Sequence, residues 1–304
     1  MKKVNYAAID IGSNAVRLLI KSVNEEGSPE GLLRKVQLIR IPLRLGEDAF
    51  TTGEISEGKA EKLIRLMKAY KQLMKIFEVS DYRACATSAM RDARNGKEIT
   101  RKIEKKTGIR VEIIDGQEEA HSVYDNHIEQ LFASVQNYLY VDVGGGSTEI
   151  NLICDSELKS SRSYNIGTVR MLSGMVKNEE KEQMQTDLQA LAAEYAPIQI
   201  IGSGGNINKL FRLADKKDKK QSFLPIESLK EICETLKALS KEERIKQFKL
   251  NPVRADVIVP AAEIFLEVAK QVNATGITVP TIGLSDGIID SLYTKNMRME
   301  TDAK

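Results

Sequence analysis

One phrase occurs twice in this chain, and it constrains the fold more than anything else in the sequence. Asp10-Ile11-Gly12-Ser13-Asn14 stands near the beginning, and Asp142-Val143-Gly144-Gly145-Gly146-Ser147-Thr148 returns near the middle. Each follows an apolar run (Tyr6 to Ile9, Tyr138 to Val141) and precedes another (Val16 to Ile20, Ile150 to Ile153). The pattern describes a strand that delivers an aspartate at its end, a tight glycine turn and an antiparallel return strand. Glycine admits positive φ and close approach of backbone to an anion, while Ser, Asn and Thr add donors. A single such turn is compatible with an ordinary hairpin. Two at corresponding places imply a duplicated domain with a phosphate site between the halves.

With 304 residues the chain is long enough for two domains, each with its own core. Hydrophobic content of 42% and charged content of 29% are those of a globular protein, and the net charge of +2 offers no global field for nucleic acid. Cys85, Cys154 and Cys233 are widely separated and form no CxxC pair, so buried free thiols and a reducing compartment are expected. No signal-peptide pattern and no membrane-length apolar run occurs, so the expected location is cytoplasmic, with neither membrane nor nucleic-acid partners.

Strand and helix patterns alternate along the chain. A strand is expected over Gln37 to Leu45. Leu63, Leu66, Met67, Tyr70, Leu73, Met74 and Phe77 have the spacing of a helix core face. A short strand over Tyr82 to Ala86 leads into Thr87-Ser88-Ala89-Met90-Arg91. Asn95 with Glu98 predicts a capping box for a helix stopping at Gly108, and Asp115 with Glu118 predicts a second. The helix begun there is expected to reach Phe132, with the domain junction near 124–136. In the second half, Ile198 to Ile201 reads as a strand ending in Gly202-Ser203-Gly204-Gly205-Asn206. Helices are expected around Ile226 to Leu239 and Arg254 to Val272, then a strand over Thr278 to Ile282 and a terminal helix.

The chemistry lies at the turns. Backbone amides at Gly12, Ser13, Asn14, at Gly144, Gly145, Gly146, Ser147, Thr148, and at Gly204 and Gly205 suit a phosphate chain. There is no Walker loop and no dinucleotide fingerprint. Asp10, Asp142 and Glu149 fall at or beside the turns and are oxygen ligands of the kind Mg2+ takes; satisfying turn amides is the alternative for the aspartates. His121 and His127 fall on roughly opposite faces of one predicted helix, which argues against zinc. Glu118 has a capping duty; Glu119 has none, and a helix N-terminus favours its ionised form as a base for water. Arg91, after a strand, is placed to neutralise charge on a transferred phosphoryl group, with Arg17 and Arg170 as weaker candidates. From the residues alone, a solvated Glu119 and a surface Arg91 remain open. Lys209, Arg212 and the run Lys216 to Lys220 are candidates for tracking a long polyanion, the run itself also reading as a solvated loop.

The ordered set DIGSNAVRLLI, ATSAMRDARN, IIDGQEEA, VDVGGGSTEI, NIGTVRM, IGSGGNINKL, RADVIVPAAEI and GLSDGIID resembles the exopolyphosphatase and guanosine pentaphosphate phosphohydrolase family, from about Tyr6 to Tyr293. A lone glycine turn would suggest only the wider acetate kinase, sugar kinase, heat-shock and actin superfamily. The resemblance implies an α/β fold of two ribonuclease H-like (actin-like) domains related by duplication, residues 1–125 and 126–304, closing on an interdomain cleft, with the terminal helix packing back on the first. It implies Mg2+-dependent hydrolysis, with K+ as a stimulating ion, of terminal phosphoanhydrides of polyphosphate or of the 5′ γ-phosphate of pppGpp. It places the catalytic glutamate at Glu119, the phosphate-contacting arginine at Arg91, metal-binding or catalytic acids at Asp142 and Glu149, and the phosphate loops at Gly12 to Asn14, Gly144 to Thr148 and Gly204-Gly205. A homodimer is also expected.

Three departures qualify that picture. Ala15 stands where a hydroxyl residue is common, and His121 where Arg is common. The extra helical domains of long members are absent, so short chains are the expected substrate. A kinase of the same superfamily and a non-hydrolytic (p)ppGpp or polyphosphate sensor are the rival readings; a water-directed Glu119 argues against both.

Overall fold

The structure is a computed structural model that describes residues 4–24, 32–124, 137–155, 157–280 and 283–302. The chain divides into two compact units, Met1–Asn126 with Leu284–Lys304, and His127–Gly283.

The first unit is built on strands β1 (Asn5–Ile11), β2 (Val16–Val23) and β3 (Leu33–Ile41). Helices α1 (Leu45–Thr51) and α2 (Glu57–Ile76) follow, then β4 (Val79–Ala86), α3 (Ser88–Asp92), α4 (Gly96–Thr107), β5 (Glu112–Ile113) and α5 (Gly116–Tyr124). The sheet order is β3-β2-β1-β4-β5. β1 is antiparallel to β2 and parallel to β4. As the central strand it is buried from Tyr6 to Ile11, Asp10 included, which the apolar run Tyr6 to Ile9 requires of a strand covered on both faces.

Several local expectations fail for physical reasons. The strand expected over Gln37 to Leu45 ends at Ile41, and Leu45 opens α1, where Leu45, Ala49 and Phe50 share a buried helical face. Asn95 does not form a capping box with Glu98. Its amide bridges both the N–H and the carbonyl of Ile55 (3.0 and 2.8 Å), while Glu98 pairs with Lys102. Gly108 does terminate α4, at φ +73°. The expected continuation of α5 to Phe132, the proposed junction and His127 lie outside the described residues.

The second unit repeats the plan. Strands β6 (Asn137–Val143), β7 (Thr148–Cys154) and β8 (Glu157–Tyr164) lead to α6 (Thr168–Leu172) and α7 (Asn178–Tyr195). Then come β9 (Gln199–Ser203), α8 (Gly205–Leu213), β10 (Phe223–Pro225), α9 (Ile226–Lys237), α10 (Lys241–Phe248), α11 (Pro252–Gln271) and β11 (Gly276–Thr278). The order is β10-β11-β9-β6-β7-β8. β6 is antiparallel to β7 and parallel to β9, as β1 is to β2 and β4. Apart from the small β10, the strand plan of the first sheet recurs. The last strand covers Gly276–Thr278, starting two residues earlier than expected, with Ile277 packed beneath Gly202; positions 281 and 282 of the expected span lie outside the described residues. Helix α11 lies across this sheet and contributes Ile258, Ala261, Ala262 and Phe265 to the core.

The last helix, α12 (Leu284–Asp302), belongs to the first unit. Tyr293 meets Tyr6 edge to face, Ile288 and Ile289 are buried, and Lys21 Nζ lies 3.0 and 3.1 Å from Asp286 and Asp290. Among the described residues no helix is long and apolar enough to cross a membrane. All three cysteines are buried and free.

Candidate active site

In the first unit, the turn after β1 closes by a hydrogen bond from Gly12 N to Ala15 O (3.1 Å). The carbonyls of Ser13 and Asn14 are then taken by the N–H groups of Gly46 and Arg44 at the start of α1 (2.8 and 3.0 Å). Across a trans peptide the carbonyl and the next N–H point in opposite directions. The amides of Asn14 and Ala15 are therefore directed away from α1. Ser13 Oγ is 2.8 Å from Ser88 Oγ, which joins this turn to the one after β4. Asn14 Oδ1 is buried with no hydrogen-bond partner.

The turn after β6 has the same design. Gly144 N donates to Ser147 O at 3.0 Å, and three successive carbonyls are drawn to the segment that begins α6. Gly144 O accepts from Thr168 N, Gly145 O from Val169 N and Arg170 N, and Gly146 O from Arg170 Nε at 2.7 Å. By the same peptide geometry, the N–H groups of Gly145, Gly146 and Ser147 face the other way as a row of donors, the arrangement that binds anions. The approach is so close that a Cβ on Gly167 would lie 2.4 Å from Gly146 C. The third turn, after β9, has Gly204 at φ +101°, and a Cβ there would meet Asp142 Oδ1 at 2.9 Å.

The acids fall into register with these turns. Asp142 lies directly opposite Glu149 in the β6–β7 ladder, and Glu149 opposite Ser163 in β8. Directly opposed residues project to the same face, so the two carboxylates form a pair. Glu149 is 2% exposed and accepts a hydrogen bond from Ser163 Oγ at 2.8 Å. In the first unit the same ladder position opposite Asp10 holds Arg17, whose Nη1 is 2.6 Å from Asp10 Oδ2. Duplicated geometry thus carries divergent chemistry: an ion pair in one copy, two acids in the other.

Glu119 and Arg91 come together. Arg91 Nη1 donates to Ile114 O at 2.9 Å and stands 3.6 Å from Glu119 Oε2, and Glu119 is only 8% exposed. Asp115 Oδ1 accepts from Glu118 N at 2.8 Å, which is half of the expected capping box; the Glu118 carboxylate turns instead to Arg83.

Sequence reasoning missed Arg254. It sits in the first turn of α11, where Asn251 Oδ1 caps its N–H at 2.8 Å, and its Nη2 approaches Gly205 within 3.2 Å of where a Cβ would be. A cation in the first turn of a helix opposes the macrodipole, and that local contradiction was the available signal. Burial, then Arg254 and Arg212, hold Lys209 below the ordinary lysine range. The run Lys216 to Lys220 is partly committed locally: Lys217 Nζ is bonded to the carbonyls of Arg212 and Ala214, and Lys216 pairs with Glu231.

The Asp142–Glu149 pair fits Mg2+, a hard cation that takes one or two carboxylates and completes its shell with water and phosphate oxygens. Asp10 fits less well because its carboxylate is already held by Arg17. Among the described residues no cluster of three or more metal-ligating side chains occurs, so the pair would share the ion with other oxygen donors.

Two sheets of one strand plan, each ending in a glycine turn whose carbonyls are tied to the next helix, define an α/β protein of the actin-like class. Within that class the chain belongs to the Ppx/GppA phosphatase family, whose model matches residues 23–296. It is 28% identical to exopolyphosphatase 2 of Mycobacterium tuberculosis, covering 96% of this chain and 99% of the relative. It is 25% identical to the guanosine-5′-triphosphate,3′-diphosphate pyrophosphatase of Aeromonas salmonicida, over 96% of this chain and 60% of that protein. The crystal structure of the Aquifex aeolicus family member superimposes with a TM-score of 0.75 at 28% identity, covering 97% and 99% of the two chains. An exopolyphosphatase from Cytophaga hutchinsonii shares the fold, with a TM-score of 0.81 at 24% identity over 96% of this chain and 97% of that one.

Proposed function

We propose that the chain is a phosphoanhydride hydrolase that releases terminal orthophosphate from inorganic polyphosphate, short chains preferred, or the 5′ γ-phosphate from pppGpp. The observation that carries this reading is the buried Glu119 beside Arg91, a base and a cation of the kind needed at an attacked phosphorus. The family relatives named for both substrates support the substrate class.

Glu119 orients a water and accepts its proton as the oxygen attacks the terminal phosphorus in line. The bond from that phosphorus to the bridging oxygen breaks, and the shortened chain leaves as an anion. Arg91 offsets charge on the equatorial oxygens. The N–H rows of the glycine turns hold the phosphates, since amides bind anions without a desolvated counter-charge. Asp142 and Glu149 would hold Mg2+, which when bound supplies Lewis-acid stabilisation of phosphate oxygens. Lys209, Arg212 and Arg254 form the cationic set for phosphates farther along the substrate. The protein acts in the cytoplasm as a homodimer in this reading, with K+ as a stimulating ion.

The test is phosphate release by purified protein with Mg2+, comparing long polyphosphate, short polyphosphate and pppGpp at equal terminal-group concentration. Release that needs no acceptor and favours short chains or pppGpp supports the proposal. Release that depends on an added phosphoryl acceptor would replace it with a kinase, and binding without release would replace it with a sensor.

A further inference from the structure

We infer that Arg83 is a positioning residue for the reaction, acting on Glu119 through Glu118. The inference rests on the reading of Glu119 as the base. It starts from a place where a local rule is broken: Glu118, in the first turn of α5, does not fold back on the helix as a capping glutamate would. Its backbone N–H is capped by Asp115, and its carboxylate is drawn sideways to Arg83 Nη2 on β4.

Arg83 is forked. Its Nε and Nη2 also bind Glu112 Oε2 on β5 at 3.0 and 2.8 Å. A planar guanidinium that spans two carboxylates fixes direction as well as charge, which a lysine ammonium does not. The fork therefore ties three consecutive parts of the framework: β4, β5 and the first turn of α5. Glu119 is the next residue in that turn, and its own N–H is bonded to Asp115 O at 3.0 Å. Helix residues one apart diverge by about 100°. Pulling Glu118 outward to the sheet edge thus turns Glu119 inward, where it is buried beside Arg91. Glu118 is itself 45% exposed at the side chain, so the tether adds little to the core and works through geometry.

The test compares wild type with Arg83→Met, Arg83→Lys, Glu118→Gln, the Arg83→Met/Glu118→Gln double variant, Glu112→Gln and Glu119→Gln. Steady-state phosphate release is read with short polyphosphate and pppGpp, alongside thermal unfolding. Arg83→Met and Glu118→Gln should each lower kcat about tenfold with KM nearly unchanged, within the range that small misplacement of a catalytic group produces. The double variant should be no worse than Arg83→Met, Arg83→Lys should recover part of the loss, and Glu112→Gln, which removes one prong of the fork, should lower kcat by less than Arg83→Met does. Amide exchange over 116–120 should quicken in Arg83→Met and Glu118→Gln, a readout independent of turnover. Unchanged kcat or unchanged exchange in folded Arg83→Met overturns the inference, as does multiplication of the two single losses or a loss confined to KM. If Arg83→Met fails to fold, Glu118→Gln and Arg83→Lys decide the matter by the same readings. Full turnover by Glu119→Gln would instead overturn the underlying mechanism, which separates the two failures.

Discussion

Replacing Gly204 with alanine displaces the Asp142 carboxylate and strains the turn that carries the glycine. The residue has φ +101° and ψ 165°, a region almost confined to glycine, and holding alanine there costs about 1–3 kcal/mol. The new Cβ would also lie 2.9 Å from Asp142 Oδ1. Ordinary van der Waals contact begins near 3.5 Å, so the carboxylate must retreat by about 0.5–1 Å. Because Oδ1 ends a side chain that can rotate, the retreat adds little to the energy; it changes position. Two separable consequences follow. Thermal unfolding should shift down by about 2–4 °C for each kcal/mol lost in a domain of this size. Phosphate release should fall about ten- to a hundredfold, with a higher Mg2+ concentration for half-maximal rate, since an ångström of misplacement is costly in catalysis. Gly174→Ala is the control. Gly174 has φ +67° with open space around its Cβ position, so it should lose about 1–2 kcal/mol of stability while keeping activity. Wild-type turnover and Mg2+ dependence in Gly204→Ala, with the expected loss of stability, would refute a role for Asp142.

Glu119→Gln should lose about 100- to 10,000-fold in turnover while retaining substrate affinity, measured by phosphate release and by direct binding titration. Burial pushes the Cys85 thiol up to about 12, so iodoacetamide at pH 8 should leave it unlabelled in native protein and label it after denaturation, as mass spectrometry would show. Burial raises the Asp48 carboxyl, but hydrogen bonds from Lys59 and Ser56 more than reverse this and leave it below its ordinary 3.8. A depressed carboxylate stabilises the fold above that value and ceases to do so as pH falls through the folded pKa. The thermal stability gap between wild type and Asp48→Asn should therefore be present at pH 6 and close in stronger acid.

What could be read from the sequence was local. A strand, a glycine turn and a return strand are encoded in one stretch, so the loops at Gly12 and Gly144 were visible with their aspartates in place. The spacing of a capping box set Glu118 apart from Glu119, but only the Asp115 half of that box forms, and the Glu118 carboxylate pairs with Arg83 on β4. The partners were not visible, because they come from other strands and loops. Asn95 had the right spacing for a box with Glu98, yet the Ile55 backbone competes for its amide more effectively. The sequence marked Arg17 only as a weaker phosphate candidate and did not reveal its ladder partner Asp10, at the position where Glu149 faces Asp142 in the other copy. Among the described residues the one complete capping box, Ser240 with Glu243 at α10, has no hydrophobic period beside it to mark it, because α10 buries no side chain. Helix α7 was overlooked for a related reason, with only Met184 and Leu188 buried along its length.

The return of α12 to the first unit governs how the chain can mature during synthesis. Residues 127–283 form an uninterrupted segment that has all of its core once Gly283 has been made. The first unit begins earlier but finishes later, because Tyr6, Lys21 and Asp81 wait for Tyr293, Asp286, Asp290 and Asn296. Domains usually acquire structure in the order of translation; here the later segment can be complete first. Until α12 arrives, the nascent first unit lacks its cover, and the apolar surface that receives Ile288 and Ile289 stays open to solvent.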